Sequence, residues 1–400
     1  MENKTKIILR SGKDEAIKRF HPWVFSGAIK KITGASPEGS LVEVFSNKDE
    51  YLGTGLYQDA SIAVRMMAFA PERPRELNQL YWQQKLQHAF DLRTAMNLTN
   101  NPSTNVYRLV HGEGDHLPGL IIDFYNGNIV IQAHATGIHF YRKQIAHSLQ
   151  HIYKNTLNTI YYKSKDTLPA DFSKNNPDSE SFLLGNNEKI IVSEHGNQFE
   201  IDFINGQKTG FFIDQRENRK LLAKYVKGKS VLNTFCYSGG FSVYALKAGA
   251  KMVDSLDSSQ KALDLAEKNV FLNHTPEIPH KTIQSDTLQY LKENALEYEL
   301  IILDPPAYAK HAHVRHNAVQ GYKRLNTEAI RKIKKGGILF TFSCSQVVNM
   351  GLFKSTVISA AIQAGRQARI LHQMAQPADH PINAFHPEGE YLKGLVLYID

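Results

Sequence analysis

The run Val231-Leu232-Asn233-Thr234-Phe235-Cys236-Tyr237-Ser238-Gly239-Gly240-Phe241 restricts the fold more than any other stretch of the chain. An apolar segment beginning at Ser230 passes through a glycine-containing turn into small and apolar residues as far as Ala248. That order predicts a buried strand, a tight turn and a helix N-terminus. In a doubly wound sheet a ligand sits at this point, because glycine admits it to the backbone and the free N–H groups of the helix meet it. A carboxylate closing the next strand commonly holds a ribose, and the strand predicted from Met252 ends on Asp257 at about the expected interval.

Two more strand ends fit the same sheet edge. Tyr298 to Leu303 is apolar and stops at Asp304-Pro305-Pro306, where proline ends strand pairing and leaves a carboxylate at the carboxyl edge. Ile338 to Phe342 stops at Ser343-Cys344-Ser345. Between these landmarks the chain alternates: a helix over Ser259–Asn273, a strand over Lys281–Asp286, a helix over Thr287–Asn294 and another over Tyr322–Ile333. Right-handed crossovers join such units into one mostly parallel sheet. After a helix over Leu352–Ala364, strands at Arg369–Leu371 and Leu392–Ile399 have no helix between them, so an antiparallel hairpin should close the sheet. The expected fold class is α/β and Rossmann-like.

The earlier part of the chain reads differently. Leu41–Phe45, Tyr51–Tyr57 and Ala63–Met67 predict short strands in a small β-barrel-like module. Pro71-Glu72-Arg73-Pro74 marks a boundary. An amphipathic helix over Leu77–Leu98 follows, then strands at Val106–Val110, Gly119–Phe124 and Ile129–His134 and a helix over Phe140–Tyr153. Polar Ser164–Asn187, with Pro169 and Pro177, reads as a linker or exposed loop, and Glu188–Phe203 as a hairpin about Glu194-His195-Gly196-Asn197. Three domains are expected, at 1–72, 73–187 and 188–400; 400 residues with 42% hydrophobic content suffice for two or three cores.

Composition narrows the class. No apolar run reaches spanning length, and Met1-Glu2-Asn3-Lys4 lacks a signal-peptide core, so a cytoplasmic protein without membrane contact is expected. Two cysteines, Cys236 and Cys344, form no disulfide framework. The formal net charge of +8 suits a polyanionic partner. Basic residues gather at the start: Lys4, Lys6, Arg10, Lys13, Lys18, Arg19, Lys30 and Lys31, interrupted by His21-Pro22-Trp23-Val24-Phe25. Cations interleaved with aromatics match phosphate contact plus base stacking, although Trp23 taken alone reads more readily as core. A second basic stretch, with Lys310, Arg315, Lys323, Arg324, Arg331 and Lys332, follows the Asp304 strand end. It is readable as a phosphate-holding loop or as a solvated helix whose cations offset its C-terminal dipole. The cluster His111, Glu113, Asp115, His116 matches no zinc or calcium spacing, and no metal is expected.

A thiol beside a ligand loop has a specific use if the ligand is S-adenosylmethionine and the acceptor a pyrimidine. Carbon 5 of cytosine is not nucleophilic until a thiolate adds to carbon 6, and an acid near ring nitrogen 3 stabilises the charge that accumulates. Cys344 as nucleophile and Asp304 as acid fit that chemistry. Alternatively Cys344 is an inert apolar residue, Asp304 a turn former, and Cys236 a second candidate nucleophile.

His21-Pro22-Trp23-Val24-Phe25-Ser26-Gly27-Ala28, Leu117-Pro118-Gly119-Leu120, Lys208 to Arg216, Tyr237 to Phe241, Asp304-Pro305-Pro306, Gly321-Tyr322-Lys323, Phe340 to Ser345 and Pro387 to Gly394 together carry a resemblance. Over nearly its full length the chain resembles the bacterial 23S ribosomal RNA large-subunit methyltransferase I family, which makes 5-methylcytosine. The resemblance implies an N-terminal PUA-type RNA-binding domain, a central α/β domain and a class I methyltransferase domain. It implies S-adenosylmethionine held about Asn233, Phe235, Ser238, Gly239, Gly240, Asp257, Asp286 and Asp304, with Gln215 and Arg216 closing that site and Cys344 as nucleophile. RNA contacts are expected from Arg19, Trp23, Lys310, Lys323 and Arg324, the partner being 23S ribosomal RNA or a large-subunit precursor, with a homodimer as a further expectation. The chain departs from the family at Ala307-Tyr308, where relatives carry Lys-Phe, and it has no second cysteine after Asp304. Two other readings stay open. One is an amino-methyltransferase acting on adenine or guanine in RNA, for which Asp-Pro-Pro followed by an aromatic is the pointer, although here Ala307 stands between the prolines and Tyr308 and breaks that spacing. The other is a non-catalytic RNA-binding assembly factor.

Overall fold

A computed structural model of the protein describes residues 5–273, 277–294, 297–309 and 314–400. The chain forms two compact units. The first comprises Met1–Ile190, Ile201–Phe211 and Ala378–Gly389; the second comprises Ile191–Glu200, Phe212–Pro377 and Glu390–Asp400.

The first unit opens with β1 (Lys6–Leu9), a one-turn helix α1 (Glu15–Lys18), β2 (Trp23–Phe25), β3 (Ile29–Thr33), β4 (Leu41–Phe45), β5 (Tyr51–Tyr57) and β6 (Ile62–Phe69). These six strands make one sheet in the order β2-β6-β5-β4-β1-β3. Ile7, Leu9, Val24, Val42, Val44, Leu52, Val64 and Met66 form its core. Helix α2 (Gln79–Ala95) follows, with Asn78 accepting the Tyr81 N–H as its N-cap. Its buried residues Trp82, Leu86, Ala89 and Arg93 recur at helical spacing on one face.

A second sheet, in the order β11-β10-β9-β8-β7, comes from β7 (Val106–His111), β8 (Leu120–Tyr125), β9 (Asn128–Ala133), β10 (Thr159–Lys163) and β11 (Glu180–Leu184). Helices α3 (Thr136–Phe140) and α4 (Arg142–Tyr153) connect β9 to β10. The region expected to be a linker, Ser164–Asn187, instead holds the short helix α5 (Ala170–Asn175) and the edge strand β11, antiparallel to β10. An edge strand is paired along one side only and stays half-exposed, so its polar Glu180 and Ser181 carry no burial signal.

A hairpin of β12 (Lys189–Glu194) and β13 (Asn197–Asp202) turns through His195 and Gly196, both in the left-handed region. It stands where the sequence placed it.

The second unit is built on a seven-stranded sheet. Its elements are α6 (Arg216–Leu222), β14 (Ser230–Thr234), α7 (Gly240–Lys247), β15 (Met252–Asp257), α8 (Gln260–Leu272), β16 (His280–Gln284), α9 (Thr287–Glu293), β17 (Leu300–Leu303), α10 (Arg315–Lys332), β18 (Gly337–Ser343), α11 (Met350–Ala364), β19 (Ala368–Ala375) and β20 (Lys393–Ile399). The strand order is β16-β15-β14-β17-β18-β20-β19. The first five strands are parallel and β20 is antiparallel to both β18 and β19, as the missing helix required. β14, β17 and β18 are buried at every position, which is why they read as unbroken apolar runs.

Two elements are longer than the sequence suggested. Helix α10 begins at Arg315 because Ala318, Tyr322, Leu325 and Ala329 continue one buried stripe that the polar residues Arg315–Asn317 disguise. Strand β19 runs on to Ala375 because it pairs with β20 to its end, though His372 and Gln373 look unlike a strand. No helix among the described residues is long and apolar enough to cross a membrane.

Candidate active site

Parallel pairing fixes which strand ends meet. Thr234 pairs with Leu303 and Leu303 with Thr341, so the ligand loop, Asp304 and the residues after β18 leave the sheet side by side. β14 is the point at which the strand order reverses, and a crevice opens there at the carboxyl edge of such sheets.

The ligand loop is conformationally costly. Phe235 (φ 54°) and Tyr237 (φ 45°) lie in the left-handed region, each at an expense of about 1–3 kcal/mol, and such outliers concentrate at binding sites. Gly239 (φ 73°) caps α7, and a Cβ there would lie 2.9 Å from the Cβ of Ala266. At Gly240 a Cβ would approach Arg219 Cδ to 3.0 Å. Ser238 is buried, and its carbonyl accepts from Asn269 Nδ2 at 2.8 Å. Asn233, on β14, donates from Nδ2 to Ser242 Oγ at 2.9 Å, while its buried Oδ1 has no hydrogen-bond partner among the described residues. A buried acceptor left unsatisfied costs about 1–3 kcal/mol, so it suits a ligand donor.

The carboxylates differ in how they are held. Asp257 closes β15 and accepts backbone N–H groups from Tyr237 and Ser259, both at 3.0 Å. Asp286 is exposed and caps α9, accepting from Gln289 N–H at 2.9 Å. Asp304 is half-buried and accepts from Gln215 Nε2 at 3.0 Å; Gln215 is itself set by Asn218, which donates to its Oε1 at 2.7 Å. Burial, then the nearby Asp214 charge, pushes Asp304 up to about 7, against the opposing Gln215 hydrogen bond. Buried Arg216 donates to Glu217 at 3.2 Å, while Arg219 forms a bidentate pair with Glu194 at 2.8 Å on both arms, and Tyr244 also donates to Glu194.

The thiol of Cys344 is half-buried, 3.9 Å from the carbonyl oxygen of Pro305. Burial, then the charges of Asp304 and Asp214, pushes it up to about 12, and Lys393 works in the opposite direction. Lys393 faces Ser343 across the β18–β20 pairing and donates from Nζ to the carbonyls of Ser345 (2.8 Å) and Tyr391 (2.6 Å). Its own value falls to about 8 through burial. Cys236 is a packing residue among Leu263 and Ala266, its thiol raised by burial beyond ordinary reach.

The sequence reading missed the residues that hold this arrangement. Tyr391 donates to Asp214 Oδ2 at 2.8 Å, while Oδ1 of Asp214 is buried without a partner among the described residues. Tyr322 O–H lies 2.9 Å from Ser345 Oγ, and the exposed ring of Tyr308 packs on Tyr322 at 4.7 Å. Asp214, Tyr322, Tyr391 and Lys393 all fall inside the stretches that carried the family resemblance, which was the available signal.

The expected RNA contacts are dispersed. Arg19 is exposed after α1; Trp23 is half-buried on β2, its indole N–H donating to Glu113 at 2.8 Å. Lys323 and Arg324 lie on α10, and Lys310 falls outside the described residues. In the cluster weighed for metal, Asp115 pairs with the buried Arg93, and Glu113 is the acceptor of Trp23.

Comparison with known proteins bears on this geometry. A PUA-like domain family matches residues 7–69, and an S-adenosylmethionine-dependent methyltransferase family matches residues 108–378. The ribosomal RNA large subunit methyltransferase I of Aeromonas hydrophila is 36% identical over 396 residues, covering 98% of each chain. That of Shigella boydii is 34% identical, covering 97% of this chain and 98% of its own. Among solved structures, a SAM-dependent methyltransferase from Streptococcus mutans superposes with a TM-score of 0.83 at 22% identity, over 98% of this chain and 99% of its own. A second, a methyltransferase complexed with SAH, gives 0.84 at 23% identity over the same shares. The cofactor of the methyltransferase fold is therefore S-adenosylmethionine, and the chain belongs to the ribosomal RNA large subunit methyltransferase I family.

Proposed function

We propose that the protein methylates carbon 5 of a cytosine in 23S ribosomal RNA, with Cys344 as covalent nucleophile. The observation that carries this reading is the Cys344 thiol 3.9 Å from the Pro305 carbonyl, beside an Asp304 whose value is raised to about 7. The bound cofactor supplies an electrophilic methyl group, and Asn233, Phe235, Ser238 to Gly240, Asp257, Asp286 and Asp304, with Gln215 and Arg216, are the residues we assign to hold it.

With the target base out of its stack, the Cys344 proton passes to the Asp304 carboxylate, and Sγ adds to carbon 6. Asp304, now protonated, delivers that proton to ring nitrogen 3 as negative charge develops there. Carbon 5 becomes nucleophilic and accepts the methyl group. Loss of the carbon-5 proton to water re-forms the double bond and expels Sγ as the thiolate, and nitrogen 3 returns its proton to Asp304, which passes it back to Sγ. Lys393 is a positioning residue: its ammonium ties Ser345 to Tyr391 and favours the Cys344 thiolate. We further assign 1–72 to RNA binding and 188–400 to catalysis, with 73–187 between them, and Arg19, Trp23, Lys310, Lys323 and Arg324 to the RNA.

The test uses purified protein, labelled S-adenosylmethionine and ribosomal RNA from cells lacking the gene, with mass spectrometry of the product nucleosides. Labelled 5-methylcytidine is expected. Label in a methylated adenine or guanine would replace this reading with amino-methylation.

A further inference from the structure

His21 and His386 stand near opposite ends of the sequence and Glu388 beside the latter, so no spacing motif joins them, and the sequence reading expected no metal. The fold of the first unit brings them together. His21 Nε2 lies 3.5 Å and His386 Nε2 3.7 Å from Glu388 Oε2. One ligand atom from each of the three residues lies within 4.8 Å of the others. Four ligands arranged tetrahedrally at metal–ligand distances of about 2.0–2.2 Å sit roughly 3.4 Å apart, close to the two separations seen.

His386 supplies the independent observation. It is 3% exposed, and neither ring nitrogen has a hydrogen-bond partner among the described residues. A buried imidazole without hydrogen bonds loses the hydration of both nitrogens and regains only the more distant Glu388 carboxylate, a cost that an ion bound to one nitrogen offsets. Trp23 walls the ring edge-on, with centroids 4.3 Å apart, which keeps solvent from it. The local turn holds the pair of ligands on this segment: His386 N–H donates to Asn383 at 2.8 Å and Gly389 N–H to His386 at 3.1 Å.

His21 is also prepared. Its Nδ1 lies 3.3 Å from the Trp23 carbonyl and 3.2 Å from the Trp23 N–H. The two contacts exclude one another: Nδ1 accepting from the Trp23 N–H leaves the ring proton on Nε2 toward Glu388, and an ion at Nε2 displaces that proton and turns Nδ1–H to the Trp23 carbonyl.

We propose that His21, His386 and Glu388 bind one divalent transition-metal ion, zinc fitting two imidazoles and a carboxylate best, with water as fourth ligand. Two imidazole nitrogens and one carboxylate favour zinc over magnesium or calcium, which seek oxygen cages. The ion fastens the segment Ala378–Gly389 to the strand that carries Trp23. Its role is structural, since it holds together parts of one unit that are far apart in the chain.

The experiment uses the full chain without a polyhistidine tag, stripped with a chelator and titrated with zinc against a competing chromophoric chelator. One zinc per chain with a sub-micromolar dissociation constant is expected. Glu388→Gln, at a half-exposed position, and His386→Gln should each weaken binding on the order of 100-fold, whereas His88→Gln, on the exposed face of α2, should not. Far-UV circular dichroism and near-UV spectra of the zinc-free variants, matched to the zinc-free parent, show that each is folded. Binding no tighter than tens of micromolar, or unchanged affinity in folded Glu388→Gln, would overturn the proposal.

Discussion

In the proposed reaction Asp304 and Cys344 share the chemistry, and each raises the other's proton affinity. With Asp304 raised to about 7 and Cys344 to about 12, the competent state holds one proton across the pair, a state that predominates between those values. Below about 7 both groups are protonated and no base is present. The logarithm of kcat/KM is therefore expected to climb with unit slope to about pH 7 and to stop rising before the Lys393 ammonium is lost near 8, read from initial rates across a pH series. Asp304→Asn should lose that limb and about 10²–10⁴ in rate. Stability responds to the same proton in the opposite direction. Because the folded value is raised, ionising Asp304 opposes folding, so the protein loses stability as pH rises from about 4 to about 7. Asp304→Asn should melt higher than the parent at pH 8 and alike at pH 4. Cys344→Ala should bind cofactor and transfer no methyl group; turnover in that variant would remove the nucleophile assignment. Both residues were legible in the sequence as strand ends. Lys393 and Asp214 were not read out, since a cation aimed at carbonyls and a carboxylate bonded by a distant tyrosine leave no local pattern.

At the scale of elements, buried charge fastens the hairpin β12–β13 to the helices that flank the ligand loop. Glu194 is fully buried, gripped by both arms of Arg219 from α6 and by Tyr244 from α7. Arg219→Met strands that carboxylate and should cost about 3–5 kcal/mol, measured as a fall in the urea midpoint of unfolding. Adding Glu194→Gln should recover part of the loss, because the stranded charge is gone. Gly239→Ala should also weaken cofactor binding, since its φ of 73° costs about 1–2 kcal/mol for alanine and the methyl meets Ala266. The central strands and their helices were legible because burial on both faces writes an unbroken apolar run. Edge strand β11 and the first turns of α10 were not, because an element packed on one side, or begun in polar residues, leaves only half a pattern.

At the scale of the whole molecule, the proposed substrate is a polyanion. Phosphate contacts release counterions, so Lys323→Ala and Arg324→Ala should each lessen the salt dependence of RNA affinity by about one unit of log–log slope. Binding isotherms at several salt concentrations measure this, and an unchanged slope would place the phosphates elsewhere. The proposed metal-ligand set was beyond any reading of spacing, because His21 stands far in the chain from His386 and Glu388.

The chain passes between its units at 190/191, 200/201, 211/212, 377/378 and 389/390. On the ribosome, the first unit must therefore wait for its segment Ala378–Gly389 until nearly all of the second unit has been translated. Neither unit can be excised by a single cut in the gene, so recombination that exchanges whole domains has no clean seam here, and the two units are inherited together.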